Sequence, residues 1–161
     1  MDLFQDYLVD ALTNFRHENM ITKFFGDRSI LRPSLVKLME EVEYETRNNP
    51  GMHLNFAINY GGRDEIVKAC RKLAVMAKNR EIDPGKITEK DIASYLYTAG
   101  QPDPDILIRP GGEKRISNFL TWQSAYSELM FFDVLWPDFA PKHIEQAIDL
   151  YNERERRYGG V

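Results

Sequence analysis

The sequence contains little cysteine and no long apolar run. Cys70 is the single cysteine among the 161 residues, so neither a disulfide nor a cysteine-based metal cluster can form within the chain. Such scarcity is typical of proteins kept in the reducing cytosol. No apolar stretch approaches the roughly 20 residues that cross a bilayer, and residues 1–12 lack the basic region of a signal peptide. We therefore expect a cytoplasmic protein that contacts membranes at most peripherally.

The sequence also lacks an excess of positive charge. It has 21 lysines and arginines against 25 aspartates and glutamates, which gives a net charge of −4. Because nucleic-acid-binding domains are usually basic, we expect no nucleic-acid partner. Hydrophobic residues make up 43% of the chain. This is enough for a modest core, and we predict a single domain over residues 1–161.

Short apolar runs alternate with amphipathic segments along the chain. The apolar runs predict strands at residues 21–25, 53–58, 105–108 and 129–132. Apolar residues at helical spacing predict helices at residues 3–18, from Pro33 to the turn at 48–51, at 63–78, 88–95 and 118–128, and from Pro141 onward. This alternation predicts an α/β fold, with a mainly parallel sheet flanked by helices.

Two glycine-rich loops follow predicted strands. The first covers residues 59–64, and the second covers residues 109–118. In open parallel sheets, ligands bind beyond the carboxyl ends of the strands, so both loops are candidates for a binding site. On composition alone, the first loop is more often a simple turn from a strand into a helix.

The second loop combines groups that bind anions. Arg109 and Arg115 supply forked donors that match phosphate oxygens, and the two glycines between them would let the backbone approach an anion. Ser117 and Asn118 stand at the start of a predicted helix, where free N–H groups favour negative charge. The loop therefore predicts a diphosphate site, although an ordinary surface loop with a helix cap explains the same residues equally well.

Glu128 is a candidate metal ligand. It closes a predicted helix that is otherwise largely aromatic and apolar, and a carboxylate in such a setting is costly unless it is exposed or paired. Mg²⁺ is a suitable partner, because it binds one or two carboxylates together with substrate phosphates. The residues alone favour the simpler alternative, a solvent-exposed glutamate at a helix end.

A longer run around the second loop resembles a known family. Residues 103–139 contain Arg-Pro-Gly-Gly-Glu-Lys-Arg-Ile-Ser-Asn-Phe and closely resemble the long signature of the cis-prenyltransferases, the undecaprenyl diphosphate synthase family. Residues 54–66 resemble the other long motif of that family, and residues 157–159 resemble its terminal Arg-x-Gly element. The resemblance covers the entire chain. It implies an undecaprenyl diphosphate synthase-like fold that lacks its N-terminal strands.

The resemblance implies a prenyltransferase that condenses isopentenyl diphosphate onto an allylic polyprenyl diphosphate, as in the synthesis of polyprenyl carrier lipids. Members of the family work as homomeric or heteromeric dimers and use Mg²⁺, and a lipid product would bring peripheral contact with a membrane. By this resemblance, Arg109, Arg115 and Ser117 would hold the isopentenyl diphosphate. Glu113 and Asn118 would belong to the same loop network, with Glu113 orienting the arginines.

The resemblance also implies roles for residues outside this loop. Glu128 would be a ligand of the Mg²⁺ on that diphosphate. Three residues would support the neighbouring wall of the site, and two would reach into the active site of a partner subunit. The supporting residues are Asn59, Arg63 and Asp64, and the residues of the partner-site element are Arg157 and Gly159.

The sequence departs from the family in two respects. Pro110-Gly111 stands where the family usually has threonine followed by serine or glycine, and proline removes an N–H donor. The Asp-Gly-Asn-Gly-x-Arg motif, whose aspartate is central to catalysis in the family, is not found in the 161 residues. We therefore expect no prenyl transfer by this chain alone. Either it is the C-terminal fragment of an active homodimeric enzyme, which the retained isopentenyl-site residues favour, or it is a non-catalytic or half-site subunit of a heteromeric enzyme.

Overall fold

The computed structural model describes Val9 and residues 19–153. These residues form two compact units, of which the first ends at Tyr97 and the second begins at Thr98. The helix predicted at residues 3–18 lies, except for Val9, outside the described residues, and so do Arg157 and Gly159. The prediction of one domain over the whole chain stays a prediction.

The first unit is built on two parallel strands, β1 (Ile21–Phe25) and β2 (His53–Ala57). Helix α1 (Pro33–Thr46) lies between them in the chain and begins at the predicted proline, whose missing N–H is tolerated in a first turn. Buried residues recur along one face of this helix at spacings of three to four. They are Leu35, Met39, Val42 and Thr46. The apolar members of this face pack with Phe24 and Leu31 to form a core.

Side chains of α1 close the outer edge of β1. The amide of Thr22 donates to Thr46 Oγ1 at 3.0 Å, and the amide of Phe24 donates to Glu43 Oε1 at 2.9 Å. Glu43 Oε1 also accepts from Arg28 Nη2 at 2.6 Å, which holds the carboxylate in place. These two strand amides are thus satisfied without a third strand.

The rest of the first unit follows the predictions closely. Helix α2 (Gly62–Lys78) begins one residue before its predicted start, and α3 (Glu89–Ala93) follows a short 3₁₀ turn. Thr88 is the N-cap of α3, as predicted, and forms a capping box with Asp91. Hydrogen bonds from the Thr88 hydroxyl (2.6 Å) and the Thr88 amide (2.7 Å) lower the pKa of Asp91.

The second unit also contains two parallel strands, β3 (Ile106–Pro110) and β4 (Glu128–Phe132). Both differ slightly from the predicted ranges. Strand β3 starts one residue later and ends two residues later than predicted, and β4 starts one residue earlier. Arg109 and Glu128 therefore lie in strands, and not in a loop and at a helix end as predicted. Helix α4 (Pro141–Asn152) follows β4 and begins at the predicted proline.

The helix predicted at residues 118–128 is wrong. This segment forms turns, one of which is a 3₁₀ turn at Gln123–Tyr126. The backbone explains the difference, because Ser117, Asn118 and Leu120 have φ values of 47°, 63° and 46°. These values lie in the left-handed region, which a right-handed helix does not contain. Ser117 and Asn118 are therefore not at a helix N-terminus.

The parallel strands and the helices between them confirm the predicted α/β fold class. Within the described residues, the strands form two separate two-stranded sheets, β1–β2 and β3–β4. Among the helices in this part of the chain, none combines the length and the apolar character that a membrane span requires.

Candidate functional site

Arg109 connects β3 to the loop that follows it. It is the fourth residue of the strand and lies opposite Phe131 of β4. Its Nη1 donates to Ser117 Oγ at 2.7 Å and to the carbonyl oxygen of Arg115. One guanidinium group therefore fixes the far side of the loop, at residues 115 and 117, to the end of the strand.

Arg115 and Glu113 form an ion pair inside the same loop, in which Arg115 Nη1 donates to Glu113 Oε2. The two side chains are 63% and 52% exposed, so water competes for both charges. A pair of this kind contributes at most about 1 kcal/mol to stability. The structure thus brings four predicted site residues together, one at the end of β3 and three in the loop that follows it, and two of the charged groups face solvent.

Gly111 and Gly112 act in this loop in a way that differs from the prediction. Both have positive φ, 96° and 76°, which glycine adopts without strain. Their amides donate to the carbonyl oxygens of Val134 at 2.8 Å and of Phe132 at 3.1 Å. The protein backbone therefore uses these two N–H groups, and an anion on this loop would be bound mainly by side chains.

A strained turn ends the loop. Ser117 and Leu120 are in the left-handed region, which costs about 1–2 kcal/mol for a residue with a Cβ. This conformation places the Ser117 hydroxyl beside the Arg109 guanidinium. Asn118, also left-handed, accepts at Oδ1 from Thr121 Oγ1 at 3.4 Å within the turn. Strain of this kind clusters at ligand-binding sites.

Glu128 lies at the other end of the strand ladder. It is the first residue of β4 and is opposite Ile106 of β3. Its amide donates to the carbonyl oxygen of Asp105 at 2.9 Å. Because Arg109 is three residues further along, the two backbone positions are about 10 Å apart along the ladder. The backbone of Glu128 is thus separated from the arginine loop, although both were predicted to serve one diphosphate.

Glu128 could take part in only one kind of metal site. In residues 19–153, no group of three or more histidine, cysteine, aspartate or glutamate side chains is arranged to hold a metal ion. Mg²⁺ needs no such group, because it commonly binds one or two carboxylates, several waters and the phosphates of a substrate. A single carboxylate such as that of Glu128 is compatible with this second kind of site, and its role as a Mg²⁺ ligand stays a prediction.

Asn59, a predicted supporting residue, links the ends of the two strands in the first unit. Its Nδ2 donates to the carbonyl oxygen of Asp27 at 2.9 Å, and the amide of Asp27 donates to the carbonyl oxygen of Asn59 at 3.1 Å. Gly26 lies next to this contact, where the surrounding backbone leaves no room for a side chain. A Cβ on Gly26 would stand 2.0 Å from the carbonyl oxygen of Ile58. The strand ends therefore depend on a glycine at this position.

Arg63 and Asp64, the other two supporting residues, stand in the first turn of α2. Arg63 is exposed, and Asp64 pairs with Lys68 at 2.8 Å, while Lys68 also lies 3.7 Å from Asp27. The hydrogen bond to Asp64 raises the pKa of Lys68. The amide of Ser29, which donates to Asp27 at 2.9 Å, lowers the pKa of Asp27. These charges hold the helix start to the strand end, and the supporting role of this wall in binding stays a prediction.

This wall contains a buried carboxylate that the sequence interpretation missed. Glu65 is 1% exposed, and it accepts from the amide of Tyr97 at 3.1 Å and from the hydroxyl of Tyr60. A signal was present in the sequence, because Glu65, Ala69 and Leu73 recur every fourth residue on the buried face of α2. A carboxylate at an apolar position of a helix indicates a hydrogen-bonded core glutamate.

Known proteins resemble the chain over its whole length. A family model described as "Putative undecaprenyl diphosphate synthase" matches residues 1–159. An isoprenyl transferase of Clostridium tetani is 42% identical over 161 residues, which are 100% of this chain and 63% of that protein. The chain thus spans less than two thirds of the length of this curated relative.

Solved structures agree with this match. The crystal structure of lavandulyl diphosphate synthase from Lavandula x intermedia, in complex with dimethylallyl diphosphate, matches with a TM-score of 0.90 at 33% identity over 98% of this chain and 69% of that chain. A probable undecaprenyl diphosphate synthase from Campylobacter jejuni matches with a TM-score of 0.82 at 30% identity over 98% and 72% of the two chains. The resemblance found in the motifs is confirmed, and the chain belongs to the undecaprenyl diphosphate synthase family of prenyltransferases.

Proposed function

We propose that this chain takes part in cis-prenyl chain elongation and that its loop at residues 109–117 binds the diphosphate of isopentenyl diphosphate. The observation that carries this proposal is the arrangement around Arg109, whose guanidinium holds Ser117 and the Arg115 carbonyl on one loop. Two guanidinium groups and a hydroxyl supply N–H and O–H groups that can donate hydrogen bonds to phosphate oxygens. Family membership supplies the class of reaction, and the loop supplies the binding chemistry.

The proposed reaction needs placement and charge stabilisation more than a protein nucleophile. The π electrons of isopentenyl diphosphate attack C1 of the allylic diphosphate, the C–O bond to the leaving diphosphate breaks, and a proton leaves the isopentenyl unit to form the cis double bond. Arg109 and Arg115 would hold the phosphate oxygens of isopentenyl diphosphate, with a hydrogen bond from Ser117. These residues would thus orient the attacking substrate.

Glu128 would hold Mg²⁺ together with phosphate oxygens. The ion would supply positive charge that neutralises the diphosphate. The Glu128 backbone belongs to β4 and is hydrogen-bonded to Asp105, so its carboxylate extends from a rigid element. A rigid starting point is what a metal ligand requires for a defined geometry.

We propose further that these residues form the isopentenyl half of a two-substrate site. The Asp-Gly-Asn-Gly-x-Arg motif, which the resemblance connects with the allylic diphosphate, does not occur in the 161 residues. Other residues of the same polypeptide or a partner subunit would supply it. A homodimer or a heteromer would also give Arg157 and Gly159 their proposed role across the subunit interface. We propose that this assembly works in the cytoplasm.

Binding of isopentenyl diphosphate to the chain tests the first part of this proposal. We expect Arg109→Ala and Arg115→Ala each to weaken the dissociation constant, measured by calorimetry, about 10-fold or more, because each removes charged hydrogen bonds. Lys114→Ala is the matched control, since it removes the same charge from the same loop. We expect less than about a 3-fold change from it. Equal losses in all three variants would reduce the proposal to general charge attraction.

Enzymatic assay tests the second part. We expect the chain alone to incorporate no labelled isopentenyl diphosphate into a longer prenyl product, with Mg²⁺ and an allylic diphosphate present. Clear Mg²⁺-dependent incorporation by the chain alone would contradict the half-site proposal. Incorporation that appears only when a second chain with the missing motif is added would favour the heteromeric alternative.

A further inference from the structure

Both arginines of the loop already have oxygen partners within the protein. Arg109 donates to a hydroxyl and a carbonyl, which are neutral acceptors. Arg115 donates to the carboxylate of Glu113, which carries a full negative charge. The two arginines therefore differ in what a diphosphate would have to displace.

A carboxylate and a phosphate use the same donors of a guanidinium group. While one N–H of Arg115 Nη1 is donated to Glu113 Oε2, that N–H is not available to a ligand oxygen. Glu113 is only two residues away in the chain, so it is always present at a high effective concentration. We propose that Glu113 is a built-in competitor for Arg115, and that it sets how tightly the loop binds a diphosphate.

The exposure of the pair decides how strong this competition is. With 63% and 52% of the two side chains exposed, water and salt screen the attraction, and such pairs are weak. The carboxylate therefore tunes the affinity and does not block the site. The elongated product keeps the diphosphate of isopentenyl diphosphate, so it must leave this loop before the next isopentenyl diphosphate can bind, and weak binding favours that step. This inference rests on the proposed role of the loop in diphosphate binding.

The competitor role and the orienting role implied by the family resemblance predict opposite changes in diphosphate affinity when the charge of Glu113 is removed. If Glu113 orients Arg115 for the ligand, removing its charge weakens diphosphate binding. If Glu113 competes with the ligand, removing its charge strengthens binding. Glu113→Gln separates the two, because glutamine has nearly the same size and keeps one oxygen acceptor, while the second oxygen becomes a neutral NH₂ group and the negative charge is lost.

The control must remove a similar charge near the same loop without releasing an arginine. Asp133 meets this need, because its Oδ1 would lie 3.1 Å from a Cβ built on Gly112. Asp133→Asn thus reports the general electrostatic effect of one carboxylate beside the loop. The specific effect of Glu113 is what remains after this effect is subtracted.

Calorimetric titration with inorganic diphosphate at low salt measures the effect directly. We expect Glu113→Gln to tighten binding about 3-fold, with a smaller change for Asp133→Asn, and we expect the gain to shrink at high salt. In an Arg115→Ala background, Glu113→Gln should change nothing beyond the Asp133→Asn effect, since the competitor would have lost its target. Weaker binding, unchanged binding, or a gain equal to that of Asp133→Asn overturns the inference.

The outcome also separates this inference from the proposed function. If Arg109→Ala and Arg115→Ala leave the binding of isopentenyl diphosphate unchanged, the proposed function of the loop fails, and the inference fails with it. If those two variants weaken binding but Glu113→Gln does not tighten it, only the competitor role is wrong.

Discussion

The parallel strands of the two units end in different surroundings, which are crowded in the first unit and open in the second. In the first unit, the strand ends are crowded around Gly26, and the carboxylate of Glu65 is buried with two hydrogen-bond donors. In the second unit, a Cβ on Gly111 would meet no atom within 4 Å, and the Glu113–Arg115 pair faces solvent. Groups whose partners are buried cannot change them without a large energetic cost. The first end is therefore suited to hold the fold, whereas the exposed groups at the second end can exchange their partners at little cost.

Alanine at two glycines should give the largest contrast between the units. Gly26→Ala would place a Cβ 2.0 Å from the Ile58 carbonyl oxygen at a φ of +121°, and we expect a loss of about 3 kcal/mol or more in the free energy of unfolding. Gly111→Ala meets only the backbone strain of φ +96°, which costs about 1–2 kcal/mol. Urea unfolding followed by circular dichroism measures both. Equal losses would remove the contrast.

Two glutamates should give the next largest difference. Glu65→Ala leaves the Tyr97 amide and the Tyr60 hydroxyl without their buried acceptor, and we expect a loss of about 2–4 kcal/mol. Glu113→Ala removes only an exposed partner, and we expect a change within about 0.5 kcal/mol. The same unfolding measurement checks both, and Glu65→Gln, which keeps an acceptor, should fall between them. A large effect of Glu113→Ala would mean that the loop is part of the stable core of the second unit.

We expect the smallest effect on the free energy of unfolding from the protonation of Asp27 at low pH. The hydrogen bond from the Ser29 amide lowers the pKa of Asp27 below its ordinary value near 3.8, so the ionised carboxylate is favoured in the folded state. Its contribution to stability is present above the unfolded pKa and is lost as the pH falls through the folded pKa. Comparing urea unfolding of the wild type and Asp27→Asn at pH 7 and near pH 3 should show a difference that shrinks at the lower pH. A difference that stays constant would assign it to packing.

The elements of the first unit were predictable because their patterns are local. Pro33 starts α1, Thr88 caps α3, and apolar residues at spacings of three to four mark the buried face of α1. Each of these signals acts within one turn of helix, so the sequence carries it directly. The bounds of β1 were predicted to the residue.

The turn at residues 117–120 was not predictable in the same way. Its apolar and aromatic spacing imitates a helix, whereas three residues adopt a left-handed backbone that no local pattern announces. The contact of Arg109 with Ser117 depends on that turn. The motif therefore identified the residues of the arginine loop. It did not predict that the glycine amides donate to backbone carbonyl oxygens, or that Glu113 forms an ion pair with Arg115. Those features arise from three-dimensional packing.

The closed outer edge of β1 has a consequence for how this protein can associate. A foreign strand approaching β1 would have to take the Thr22 and Phe24 amides away from Thr46 and Glu43, which already satisfy them. Exposed strand edges are templates for aggregation and domain swapping. The side chains of α1 thus act as a barrier to strand recruitment from this direction. Growth of the sheet in the first unit, by any further strand, is directed to the side of β2.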